Sequence, residues 1–78
     1  MNDTVATLCE IPSGSAYMID YVDDTLPIKG RLRELGFFRG AIVDKLQTGA
    51  CGSPIAFRIC GAVIAIRYED ADRIFVKL

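Results

Sequence analysis

At 78 residues, 51% of them hydrophobic and 24% charged, the chain has the size and make-up of one small globular domain. Nine basic against ten acidic residues give a net charge of −1 and a pI near 5.2, which argues against bulk nucleic-acid binding. Histidine and tryptophan are absent, so the commonest general base and the commonest metal ligand are both missing, and no enzyme activity is expected.

The charge is unevenly spread. Residues 1–24 carry five acids and no base, whereas residues 25–67 carry seven bases against Glu34 and Asp44. A modest positive face is therefore expected from the middle of the chain. Three cysteines, Cys9, Cys51 and Cys60, cannot all pair with one another, which fits a reducing, cytoplasmic location better than a disulfide scaffold. Met1 to Leu8 has neither a basic start nor a long apolar stretch, so no export signal is expected. The longest apolar run, Ile59 to Ile66, falls far short of the ~18–20 residues that span a bilayer, so no membrane insertion is expected.

Residues 1–12 read as a flexible or loosely attached segment, and residues 13–78 as the folded domain. Pro12-Ser13-Gly14 forms a reversal into a β-rich stretch from Ser15 to Val22. Tyr17, Ile19 and Tyr21 share one parity there and Met18 and Val22 the other, which leaves the buried face open. Asp23-Asp24-Thr25-Leu26-Pro27 then has the form of a helix start, with Asp24 or Thr25 as cap and Pro27 in the first turn. Ile28, Leu32 and Leu35 follow at helical spacing on one face, Lys29 and Arg33 lie opposite, and Gly36 supplies a C-terminal stop.

Phe37-Phe38-Arg39-Gly40 reads as a tight aromatic turn, and Ala41 to Thr48 as a strand whose inward face is again ambiguous. Residues 49–54 form a loop by composition. Ile55, Phe57 and Ile59 alternate with Ala56, Arg58 and Cys60, the signal of a half-buried strand. Gly61 turns the chain into Ala62 to Arg67, Glu69 to Asp72 resembles one helical turn, and Ile74, Val76 and Leu78 alternate in a closing strand. The fold class is mainly β: a small five- to six-stranded barrel with one short helix after the first strand. An open α+β sheet is the competing architecture.

The order of elements carries a resemblance. Leu32-Arg33-Glu34-Leu35-Gly36-Phe37-Phe38-Arg39-Gly40 followed by Val43 resembles a signature of the FeoA (ferrous iron transport protein A) family. Pro54 to Gly61, with Val63-Ile64-Ala65-Ile66-Arg67 and then Ala71, Ile74 and Val76, is similar to its second half. The likeness runs from about Ser13 to Leu78, and its short motifs are specific only in series. It implies an SH3-like barrel at the inner face of the membrane, with a role in ferrous iron transport and no chemistry of its own. The implied partner is an FeoB-type permease carrying a G-protein domain. Similar barrels form the C-terminal domains of iron-dependent repressors, so a metal-responsive module is the alternative. Lys45 departs from the family pattern, standing where an apolar residue is usual.

No nucleophile here has a positioned base, and loop 49–54 lacks the Gly-Lys-Ser/Thr ending of a phosphate loop. No metal site is expected and no cofactor is required; the low-ranking candidate is Cys51, a reachable thiol that could hold Fe2+ or Zn2+ weakly with a carboxylate. Cys60 reads as a small buried hydrophobe, and an extended strand 54–60 sets it roughly 25–30 Å from Cys51. The arginines and phenylalanines resemble a single-strand-binding mixture, but the acidic pI argues against a strong electrostatic footprint. Protein binding remains, through a patch of Lys29, Arg33, Phe38 and Arg39 facing an acidic surface, with self-association also open.

Overall fold

The computed structural model describes residues 4–48 and 53–78, and in them the expected mainly β architecture is present as six strands. In chain order these are β1 (Val5–Thr7), β2 (Ala16–Val22), α1 (Lys29–Leu35), β3 (Ile42–Thr48), β4 (Ile55–Ile59), β5 (Ala62–Ile66), α2 (Tyr68–Ala71) and β6 (Ile74–Lys77). All pairings are antiparallel, in the order β1-β6-β2-β3-β4-β5. The helix thus follows the second strand, not the first, because the N-terminal residues supply a strand of their own. Cross-strand neighbours interdigitate over a core in which Ile19, Val43, Phe57, Ile74 and Val76 are wholly buried.

The expectation that residues 1–12 hang loosely does not describe residues 4–12. Val5, Ala6 and Thr7 pair with Lys77, Val76 and Phe75, and Leu8 and Ile11 enter the core. What holds this segment is Lys45. Its side chain points inward and is only 3% exposed, and its Nζ donates to the carbonyl oxygens of Cys9 at 3.2 Å and Ile11 at 2.8 Å. Gly14 N–H to Lys45 O and Lys45 N–H to Ser15 O add a backbone tie at the same place. The inward lysine is therefore a cross-link: its stem fills core while its tip donates to two backbone carbonyls.

In both ambiguous strands the pairing register shifts. Pairing between β2 and β6 shifts between Ile19 and Tyr21, so Ile19 and Val22 face in although they differ in parity. In β3 the shift lies between Lys45 and Gln47; Val43 and Lys45 face in, and Ile42 is exposed. A bulge inserts one unpaired residue and inverts every later side chain, which a period-2 reading cannot foresee.

The helix also begins later than expected. Asp23 Oδ1 accepts the Thr25 N–H (2.9 Å) and hydroxyl (2.8 Å), which makes a turn and not a helix cap. Two successive turns, Leu26 N–H to Asp23 O and Lys29 N–H to Leu26 O, carry the chain to Ile28, which precedes α1 without a side-chain cap. Asp23 Oδ2 meanwhile accepts Arg73 Nε (3.1 Å) and Nη2 (3.0 Å), tying the end of β2 to the start of β6. The Thr25 N–H first, then its hydroxyl and Arg73, hold the Asp23 carboxyl at about 2 against an ordinary 3.8. A depressed carboxyl stabilises the fold fully above its unfolded value and loses that contribution as pH falls from 3.8 through about 2. Asp23→Asn should therefore flatten the acid limb of a melting-temperature profile in that window; an unchanged limb would show that other carboxyls set it.

Candidate functional site

Gly36 determines where the candidate site lies. It ends α1 at φ 113°, its N–H bonding Arg33 O while Phe37 N–H reaches back to Leu32 O. This exit sends the two phenylalanines opposite ways. Phe37 is buried edge-on against Phe57, ring centres 6.4 Å apart at 88°, whereas Phe38 stands 45% exposed. A turn from Phe38 to Ala41, closed by Ala41 N–H to Phe38 O and pinned by Gly40 N–H to Ile19 O, lifts Arg39 outward beside β2.

The result is a groove of about 290 Å³ between α1 and the end of β2, and the structure brings all four expected residues, Lys29, Arg33, Phe38 and Arg39, to its walls. Asp20, Tyr21 and Asp24 also line it and were not foreseen. Tyr21 faces the groove because of the β2 bulge, and it stacks on Phe75 with centroids 4.5 Å apart and planes 11° from parallel. A sequence signal for Tyr21 was lacking, since its parity matches that of buried Ile19.

Electrostatically the groove is mixed and not simply positive. Lys29 pairs with Asp24. Among the described residues, neither Arg33 nor Arg39 has an ion pair. Two planar guanidinium groups flanking exposed aromatic rings can grip carboxylates while the rings take apolar surface.

The metal expectation fares differently. Cys51 lies outside the described residues. Cys60 is not buried: it sits exposed at φ 50° in the Cys60-Gly61 turn that joins β4 to β5. Burial, reinforced by the nearby Asp72 carboxylate, pushes the Cys9 thiol up to about 11, and its Sγ donates to the Tyr68 carbonyl oxygen at 3.3 Å. A thiol so held is a poor ligand near neutral pH. Among the described residues no three Cys, Asp or Glu side chains gather as a metal-ligating group. No helix of the described residues is long and apolar enough to cross a membrane.

Comparison with known proteins adds the following. The sequence model of the FeoA domain matches residues 6–78. An Fe(2+) transport protein A/Fe(2+) transporter FeoB fusion protein of Porphyromonas gingivalis is 30% identical over 71 residues, which are 91% of this chain but 8% of that protein. The fold superposes on FeoA of Stenotrophomonas maltophilia, described as an SH3 domain protein complexed with zinc. That match has a TM-score of 0.80 and 32% identity, covering 91% of this chain and 88% of the other. A manganese-dependent transcriptional repressor gives a TM-score of 0.85 at 15% identity, over 99% of this chain and 44% of the repressor, a likeness of fold alone.

Proposed function

Because the chain belongs to the FeoA family, which its relatives link to ferrous iron transport, we propose that it serves that process by binding and not by catalysis. Its partner in this reading is the G-protein domain of an FeoB-type permease, met from the cytoplasmic side. The observation that carries the proposal is the meeting of Arg33, Arg39 and exposed Phe38 at one groove, with no carboxylate paired to either arginine among the described residues. Such a groove fits an acidic, partly apolar segment of the partner. The fusion of both proteins into one polypeptide in Porphyromonas gingivalis supports physical proximity of the pair.

The test is calorimetric titration of the purified G-protein domain with the chain across a salt series. Combined Lys29→Ala, Arg33→Ala and Arg39→Ala should weaken binding about 10- to 100-fold and flatten its salt dependence. All three side chains lie at a groove open to solvent, so the melting temperature should change little. Normal affinity in the triple variant would place the contact elsewhere. Stoichiometric, localised amide shifts on adding Fe2+ or Zn2+ to the reduced chain would instead support a metal-responsive module, with Cys51 the first residue to substitute.

A further inference from the structure

The sheet ends in two unlike edges. β1 is three residues long, whereas β5 offers five, Ala62-Val63-Ile64-Ala65-Ile66, and among the described residues no strand pairs with its outer side. Edge strands in monomeric proteins are usually guarded by a charge, a proline, a bulge, extreme shortness, or a helix or loop laid over them. β5 has none of the first four: its residues are all apolar, its register with β4 is unbroken, and Val63 is 61% exposed. On the side towards α1 lies a second groove of about 520 Å³, lined by β5 together with half-buried Ile28, just before α1, and Leu35 at its end.

We propose that the β5 edge pairs with β5 of a second copy of this chain, antiparallel about a two-fold axis at Ile64. An isologous contact needs a strand that complements itself, and this one does. With Ile64 opposite Ile64, Val63 meets Ala65 of the second copy and Ala62 meets its Ile66, so large side chains face small ones away from the axis. Charge permits the same register. Arg67, the nearest cation along the strand, falls opposite Gly61, so no like charges oppose one another directly. The groove rim carries both signs, Arg31 and Arg67 with Asp70, and is not self-repelling. Pairing over five residues falls short of the ~1,200 Å² of a stable complex, so the dimer is weak and concentration-dependent.

Sedimentation of the reduced chain between about 10 µM and 1 mM should show the mean mass rising from monomer towards dimer, with amide broadening confined to residues 62–66 and α1. Reductant matters because Cys60 is exposed, and an intermolecular disulfide would double the mass without this contact, which sets Cys60 opposite Tyr68 of the second copy. Combined Val63→Lys and Ala65→Lys, both at exposed positions, should leave the fold intact and the chain monomeric at every concentration. Val63→Glu with Ala65→Glu should do the same. Mixing the two variants should restore the dimer, because this register sets position 63 of one copy against position 65 of the other. A native chain that stays monomeric at 1 mM overturns the proposal. So does self-association indifferent to the lysines, or a mixture of variants that fails to associate. Edge amides that shift only with a synthetic valine-threonine strand peptide, in a chain that remains monomeric, would assign β5 to a different partner and overturn it likewise.

Discussion

Lys45→Ala should lower stability by about 3–5 kcal/mol, roughly half the reserve of a domain of this size, which is on the order of 5–10 kcal/mol. Two effects add. Truncation opens a cavity where the lysine stem lay, and the carbonyl oxygens of Cys9 and Ile11 lose their donor. Lys45→Met separates them, since it keeps most of the stem and removes only the hydrogen bonds. Its expected loss is about 1–2 kcal/mol, the unmet carbonyls being partly offset by relief from burying the side-chain nitrogen. Global melting should therefore shift by about 5–15 °C. Hydrogen exchange is the more telling measurement. In Lys45→Met the amides of Leu8 and Glu10, bonded to Ile74 O and Thr7 O, should lose protection while those of β4 and β5 keep theirs. Uniform loss, or none, would mean that Lys45 fills space without tying down the N-terminal segment.

Gly36→Ala is expected to remove about 2–3 kcal/mol. At φ 113° an L side chain is strained by about 1–2 kcal/mol, and a Cβ built there would stand 2.7 Å from Cys60 Sγ and 3.3 Å from Cys60 Cβ. The two contributions are separable by a mutant cycle. Cys60→Gly clears the opposing side chain and relaxes a residue itself at φ 50°, so alone it should be neutral or mildly stabilising. In that background Gly36→Ala should be milder by about 1 kcal/mol, leaving the backbone strain. Additive effects in urea melts would deny that the helix end and the β4–β5 turn constrain each other. The same glycine sets the chain exit that buries Phe37 and exposes Phe38, so the variant should also weaken partner binding.

Much of the candidate site was readable because its residues are neighbours in the chain. Lys29 and Arg33 are one helical turn apart, and Phe38-Arg39 follow directly after the helix stop, so local geometry places them together. Asp20 and Tyr21 were not readable, because they reach the groove through the β2 bulge. Nor was the pairing of Lys29 with Asp24, which turns a positive patch into a groove with two arginines left for a ligand. The sequence pattern exposed Phe38 but could not say whether Phe37 would join it; Phe57, twenty residues later, takes Phe37 into the core.

The sequence by itself determined the class of fold, the helix face, the stop at Gly36 and the family, because period, turn chemistry and motif spacing are local properties. Tertiary structure alone decided the inward turn of Lys45, the strand status of Val5–Thr7 and the exposure of Cys60. The first two depend on partners far along the chain, the Cys9 and Ile11 carbonyls for Lys45 and β6 for β1, and the third on the β4–β5 turn that holds Cys60 at φ 50°. A lysine at an inward position reads as a violation until the carbonyls that receive it are brought within 3.2 Å, and only the folded chain brings them there.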